Sequence, residues 1–193
     1  MQQLVSKAEM RSTLRASRKD RVPPADHASD IAGHVTDLEP IAQACESGAA
    51  IACYVNRAEE PSTTEVRRAL KQAGARVLLP RIEGDDLVWC LDDDATMATN
   101  SLGIDEPVGE PTDEQPAAWI IPALAIDQDG FRLGQGGGFY DRALQDLPED
   151  GRGPIIALVF EDEMVQAVPR EDHDIPVDIV VTPERVRWLA MPD

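Results

Sequence analysis

The sequence predicts an α/β fold, a three-layer α/β/α sandwich built on a mainly parallel sheet. Residues 49–55 and 76–80 read as buried strands, and the helical pattern of Val66, Ala69 and Leu70 lies between them. Strand, helix and strand at that spacing make a right-handed crossover between parallel neighbours. Residues 117–126 form the longest apolar run and lead into a loop with four glycines in five positions. A ligand of such a sheet sits where the loops leave the carboxyl ends of the strands. Further strands are expected at 119–121, 155–160 and 179–181, with an edge strand at 185–189.

Local signals set the elements in chain order. Ser6 and Glu9 form a capping box at the start of the first helix, with Val5 placed to pack on Met10. Met10 and Leu14 share one face of that helix, while Lys7, Arg11, Arg15 and Arg18 line another. Pro23-Pro24 ends it. A second helix is expected over 25–46, closed by Gly48. Ser62 and Glu65 offer a second capping box, opening the helix that stops at Gly74. Asp85, Asp86, Asp92, Asp93 and Asp94 bracket a short strand at 87–91 and read as a solvated hairpin surface rather than a metal site. Residues 107–116 are a polar, proline-rich connection.

Bulk properties narrow the partners. The 193 residues form a single domain spanning 1–193, and a chain of that size buries roughly 70% of its unfolded surface. Aromatics are only 4%, so aliphatic side chains fill the core. The longest apolar run is too short to span a bilayer and no signal-peptide pattern opens the chain, so no membrane partner is expected. Cys45, Cys53 and Cys90 lack metal spacing and cannot all pair; buried thiols in a reducing compartment place the protein in the cytoplasm. The net charge is −18, yet the first 21 residues carry six basic side chains against Glu9 and Asp20, a balance of +4. The remainder carries −22, a field that disfavours nucleic acid. Lysine is nearly absent, with three against fifteen arginines and twenty-one aspartates, a surface suited to high salt. A monomer acting on a small molecule fits these properties.

Chemistry concentrates between Ile120 and Leu144. Gly134, Gly136, Gly137 and Gly138 let backbone N–H groups approach a ligand, and a helix start follows at once. Arg132 is a bidentate phosphate partner, and Asp141 is an oxygen donor that Mg²⁺ would accept. Glycines alone would also fit a mobile surface loop; the arginine, aromatics and acid at fixed offsets favour a nucleotide site. It is neither of two common phosphate motifs. A P-loop needs Lys-Ser/Thr where Phe139-Tyr140 stand, and the dinucleotide pattern begun at Gly134 needs glycine at Phe139.

The stretch resembles the signature of the 5-formyltetrahydrofolate cyclo-ligase family. Pro122, Ala125, Asp127, Gly130, Arg132, Leu133, Gly134, Gly136, Gly137, Gly138, Tyr140, Asp141 and Arg142 match it. Ala123, Ile126, Gln135 and Phe139 depart, where glycine and aromatics are common. Lys7 and Arg11 are similar to a basic element of the family that contacts ATP. The segment from Tyr54 to Thr63 is similar to its folate-binding segment, with Ser62 where an acid is usual. Gly103-Ile104-Asp105-Glu106-Pro107 and the run His173-Asp174, Val177-Asp178, Val180-Val181-Thr182 complete five elements in order.

The resemblance implies a fold like that of sugar-phosphate isomerases and CoA-transferases. It also implies MgATP-dependent closure of 5-formyltetrahydrofolate to 5,10-methenyltetrahydrofolate, with ADP and phosphate released after the formyl oxygen is phosphorylated. Lys7 and Arg11 would meet the phosphates, and Arg132, Leu133, Gly134, Gln135, Gly136, Gly137, Gly138, Phe139 and Tyr140 would wrap ATP. Tyr54, Val55 and Glu60 would line the pterin pocket, with Gln135 and Phe139 facing it too. Arg142 would add charge near the transferred group, and Asp141 and Asp178 would hold Mg²⁺. Asp178 also fits a strand-end residue capping a turn, and the basic helix face also fits plain solvation. His27 and His34 read as surface residues and His173 as structural, so no Ser-His-Asp or Cys-His arrangement is available. Two other readings remain: a paralogue using the same ATP site on another formylated or amide substrate, or a non-catalytic folate- or nucleotide-binding regulator.

Overall fold

Apolar residues in the central strands bury both faces of the sheet. Ile51, Ile120, Ile156, Leu158, Ile179 and Val181 pack on one side; Ala52, Trp119, Ile121, Ile155, Ala157 and Val180 pack on the other. A sheet buried on both faces needs a layer over each. The computed structural model describes residues 6–94, 97–145, 147, 152–171 and 174–189. Val5 and His173, which carried sequence expectations, lie outside the described residues.

Along the chain the elements are α1 (Lys7–Asp20), α2 (His27–Thr36), α3 (Glu39–Ser47), β1 (Ala50–Ala52), α4 (Thr64–Gln72), β2 (Arg76–Glu83) and β3 (Asp86–Leu91). There follow β4 (Met97–Thr99), β5 (Asp105–Pro107), β6 (Ala118–Pro122), β7 (Ala125–Ile126), β8 (Arg132–Leu133) and α5 (Phe139–Gln145). The last strands are β9 (Ile155–Leu158), β10 (Ile179–Val181) and β11 (Val186–Trp188), with a 3-10 turn at Glu161–Glu163. Seven strands form one sheet in the order β11-β10-β9-β6-β1-β2-β3. The five inner strands are parallel, and β3 and β11 close the two edges in antiparallel pairs. Two small ladders, β4–β5 and β7–β8, stand apart from it. Helices α2, α3 and α4 cover the first face through Ile31, Val35, Ile41, Val66 and Leu70. The second face is covered by Leu144 and Tyr140 of α5 together with Met164, Ile175 and Val177.

The α/β sandwich and the parallel crossover are as the sequence predicts, with several local differences. The capping box at Ser6 forms, with Glu9 bonded back to the Ser6 backbone. The helix expected over 25–46 is two helices, because Pro40 would clash with the carbonyl four residues back and leave it without a donor. The Ser62 capping box does not form. Thr63 is the N-cap of α4 without a side-chain capping bond, and its buried hydroxyl donates to the Tyr54 carbonyl at 2.6 Å. Asp92 belongs to no solvated surface; it is buried and paired with Arg67 at 3.1 Å and Lys71 at 3.4 Å. All three cysteines are buried free thiols. Among the described residues no helix is long and apolar enough to cross a membrane.

Candidate functional site

The glycine loop is anchored before it begins. At the β7–β8 turn the fully buried Asp127 carboxylate accepts the backbone N–H groups of Asp129 and Phe131 at 3.0 Å each, and that of Val168 at 3.2 Å. Arg170 closes the same carboxylate at 2.8 Å. The chain then leaves β8 through Gly134 and turns at Gly136 (φ 102°) and Gly138 (φ 70°), a region that side-chain-bearing residues avoid. A Cβ on Gly138 would lie 2.8 Å from Arg142 Nη1, whereas one on Gly136 would only touch the Arg11 guanidinium at about 3.5 Å.

Helix α1 lies across this loop and brings its basic face inward. Arg11 Nε donates to the Gly134 carbonyl at 2.9 Å, and Arg15 holds Gln135 by its side chain at 3.0 Å and its carbonyl at 2.6 Å. Lys7 sits 3.0 Å from Asp174 and 3.4 Å from Glu171. In a chain this acidic, Arg11, Arg15 and Arg57 have no carboxylate partner among the described residues, and all three line one cleft. Cations without acids beside them are available to an anionic ligand.

That cleft has a volume of about 380 Å³ and opens at the carboxyl ends of β1 and β6, within the size range of small-molecule sites. One wall is the loop from Arg132 to Tyr140. The other is apolar: Tyr54 and Val55 beyond β1, Pro80 and Ile82 of β2, Leu87 of β3, and Leu102 and Ile104 from the β4–β5 hairpin. Glu60 lies between the walls, 8% exposed; Oε2 accepts the Arg57 N–H at 3.0 Å and Oε1 accepts Gln135 Nε2 at 3.3 Å. A shallower extension beside the loop is lined by Lys7, Arg11, Gly136, Gly138, Asp141, Arg142, Glu171 and Asp174. Asp141 faces both spaces.

Burial sets the ionisation of this region. Burial pushes the Tyr54 and Tyr140 phenols well above the ordinary tyrosine range, so both stay protonated. It pushes the Cys53 thiol up to about 12, which removes the thiolate a nucleophile would need. Desolvation pulls the Arg132 pKa down, with Asp141 opposing it. Neither phenol nor the Cys53 thiol is thus poised to act as a base or nucleophile.

Most of the residues singled out in the sequence converge on these two spaces, with three corrections. Asp178 is not in the cleft. It stands before β10, at the amino end of the parallel strands, where Arg152 holds both its oxygens at 2.8 and 3.0 Å and Ile155 N–H bonds it at 2.7 Å. That geometry fulfils the strand-end alternative: three hydrogen bonds engage both carboxylate oxygens, away from the cleft. Leu133 lines the cleft, but its side chain is buried, packing with Ala125 and Val168 against Met10 and Leu14 of α1. Arg18, placed with the basic face, is buried instead and pairs with Glu163 at 2.8 Å. Arg142 lines only the outer extension, donating to the Asp85 and Gly137 carbonyls with its guanidinium 5.2 Å from the Phe139 ring. Sequence reasoning gave no role to Asp174, Arg15, Arg57, Leu102 or Ile104; the Gly103–Pro107 element was the available signal for the last two.

The sequence model described as the 5-formyltetrahydrofolate cyclo-ligase family matches residues 3–183. The chain belongs to that family. A 5-formyltetrahydrofolate cyclo-ligase of Mycolicibacterium smegmatis is 33% identical, over 93% of this chain and 95% of its own. One from Escherichia coli K12 is 33% identical over 70% of this chain and 79% of its own. Among solved structures, the 5,10-methenyltetrahydrofolate synthetase of Aquifex aeolicus has a TM-score of 0.78 at 25% identity, covering 97% of this chain and 94% of that one. A methenyltetrahydrofolate synthetase of Mycoplasma pneumoniae shares the fold, with a TM-score of 0.73 at 19% identity over 93% and 100%. Cyclo-ligases of this family are ligases that use ATP. The donor set of the outer extension suits a nucleotide's hard cation, because Mg²⁺ takes one or two carboxylates and fills its other positions with phosphate and water. Asp141 and Asp174 are such carboxylates, although no cluster of three or more metal-binding side chains occurs among the described residues.

Proposed function

We propose that this chain closes 5-formyltetrahydrofolate to 5,10-methenyltetrahydrofolate with conversion of ATP to ADP and phosphate, in the cleft between the glycine loop and the apolar wall. The observation that carries this reading is the joining of two unlike spaces at one loop. One is polar and shallow, lined by Lys7, Arg11 and Arg142 together with Asp141, Glu171 and Asp174; the other is apolar and ends on the Glu60 carboxylate. A triphosphate fits the first and a pterin fits the second.

The chemical problem is that a formyl oxygen is a poor leaving group. Transfer of the γ-phosphoryl group to that oxygen converts it to a phosphate ester, N10 attacks the formyl carbon, and phosphate departs with the oxygen and takes up the N10 proton. The protein contributes alignment and charge. Lys7 and Arg11 receive the phosphates, and Gly136 and Gly138 let the loop backbone close on them. Glu60 accepts hydrogen bonds from the amino-pyrimidine edge of the pterin, with Tyr54 and Val55 against the ring. Asp141 is the side chain we assign to Mg²⁺, which would neutralise charge on the terminal phosphates when bound. Arg142 stands at the outer end of the same space.

The test is the absorbance of methenyltetrahydrofolate followed with and without MgATP. ATP-dependent formation of the product is expected. Absence of product with an otherwise folded, ATP-binding protein would refute the reading.

A further inference from the structure

Behind Glu60 lies a buried arginine that the mechanism does not use. Arg18 is 4% exposed; its Nε and Nη2 donate to the two oxygens of Glu163 at 2.8 Å each, and Nη2 also donates to the Ala123 carbonyl at 2.6 Å. Nη1 has no hydrogen-bond partner among the described residues and stands 3.9 Å from Glu60 Oε1. Glu163 is itself fixed, by Arg21 at 2.6 Å and by the Phe160 N–H at 2.9 Å. The Tyr54 hydroxyl is a second buried polar atom without a partner among the described residues.

These contacts separate two jobs. The fork between Arg18 and Glu163 ties α1 to the Glu161–Glu163 turn and needs only two of the three guanidinium nitrogens. Leaving the third buried and unbonded is unfavourable, so stability of the fork does not explain its aim. Desolvation pulls the Arg18 pKa down, and the bond to Glu163 with the charges of Glu163 and Glu60 more than reverses it. Among the described residues Glu60 accepts two hydrogen bonds, from Arg57 and Gln135, and the Gln135 bond comes from the ligand loop itself. A buried carboxylate that gives up that bond to a ligand needs a fixed countercharge on its other side.

We infer that Arg18 is a positioning residue for folate recognition: held by Glu163, it sets a buried positive charge behind Glu60 and keeps that carboxylate aimed into the cleft. The inference rests on the proposed role of Glu60 as the pterin-binding carboxylate. Arg18 touches no ligand; it acts through Glu60.

Removing Arg18 alone would strand the Glu163 charge, so the informative variant is Arg18→Met with Glu163→Gln, checked by a thermal melt. Calorimetric titration with 5-formyltetrahydrofolate and, separately, with ATP reads the effect. The double substitution is expected to raise Kd for the folate about tenfold, the size of coupling between neighbouring charged groups, and to leave Kd for ATP unchanged. In a Glu60→Gln background it should add nothing, and Arg18→Lys should recover part of the loss. Equal weakening of both ligands, or a full loss in the Glu60→Gln background, would overturn the inference and leave Arg18 as a structural tie. A Glu60→Gln protein that binds folate as tightly as the parent would instead overturn the role of Glu60, and the inference with it.

Discussion

Two arginine–aspartate pairs, one at each end of the sheet, have the same chemistry and opposite availability. At the amino end, Asp178 spends both oxygens on Arg152 and takes the Ile155 N–H as well. At the carboxyl end, Asp141 meets Arg132 through one oxygen, and its side chain remains a third exposed beside the cleft. Arg132 is further engaged by the Ile175 carbonyl at 3.4 Å. Both aspartates fall in stretches that resemble the family's signatures, so motif membership does not distinguish them. What distinguishes them is the number of lone pairs the fold leaves over. Asp178 is part of the scaffold, and Asp141 is free to serve a ligand.

The sharpest way to break that contrast is Asp141→Asn. We expect kcat to fall at least about a hundredfold, roughly 2.7 kcal/mol of transition-state stabilisation, with part restored at high Mg²⁺ and the fold intact. If Asp141 merely caps the start of α5, the variant would turn over normally and lose about 1 kcal/mol of stability. Glu60→Gln should come next, raising KM for the formyl-folate by the worth of a charge-assisted hydrogen bond, about 1.5–3 kcal/mol. KM for ATP should not move, and an unchanged folate KM would remove Glu60 from the pterin site. Arg11→Ala should raise KM for ATP about tenfold, because its guanidinium lies one helical turn from Lys7 and has no carboxylate partner among the described residues. An unaltered value would return the basic face of α1 to a purely structural role. Asp178→Asn is the smallest and completes the comparison. Its pair is about a fifth exposed, so a loss of about 1 kcal/mol in stability is expected, with kcat unchanged. A drop in kcat there would restore the metal assignment that the geometry removes.

The parts legible in the sequence are those fixed by near neighbours. The Ser6 capping box needs only Glu9, and β10 occupies the predicted 179–181 because three apolar residues must bury both faces. The glycine loop and the crossover from β1 to β2 are similarly local. The misplacements share a cause, which is competition from distant partners. Thr63 displaces Ser62 as the cap of α4 because its hydroxyl is recruited by Tyr54 at the end of β1. Arg18 carries the same helical spacing as Arg11 and Arg15, yet Glu163, 145 residues away, draws it inside. Asp178 is consumed by Arg152, which no spacing rule connects to it. Tyr54 and Val55 of the apolar wall were legible, but Leu102 and Ile104 were not placed for a different reason: they carry no chemistry, and the position of the β4–β5 hairpin makes them pocket residues.

The contact between Lys7 and Asp174 joins residues 167 positions apart. Closing a loop costs entropy only as the logarithm of its length, so this contact is about 0.6 kcal/mol dearer than one spanning half the distance. Recruiting a cationic helix from the opposite end of the chain is therefore nearly neutral at equilibrium. Its consequence is kinetic: long-range contacts form late, so the cleft is completed after the local crossovers have already organised the sheet.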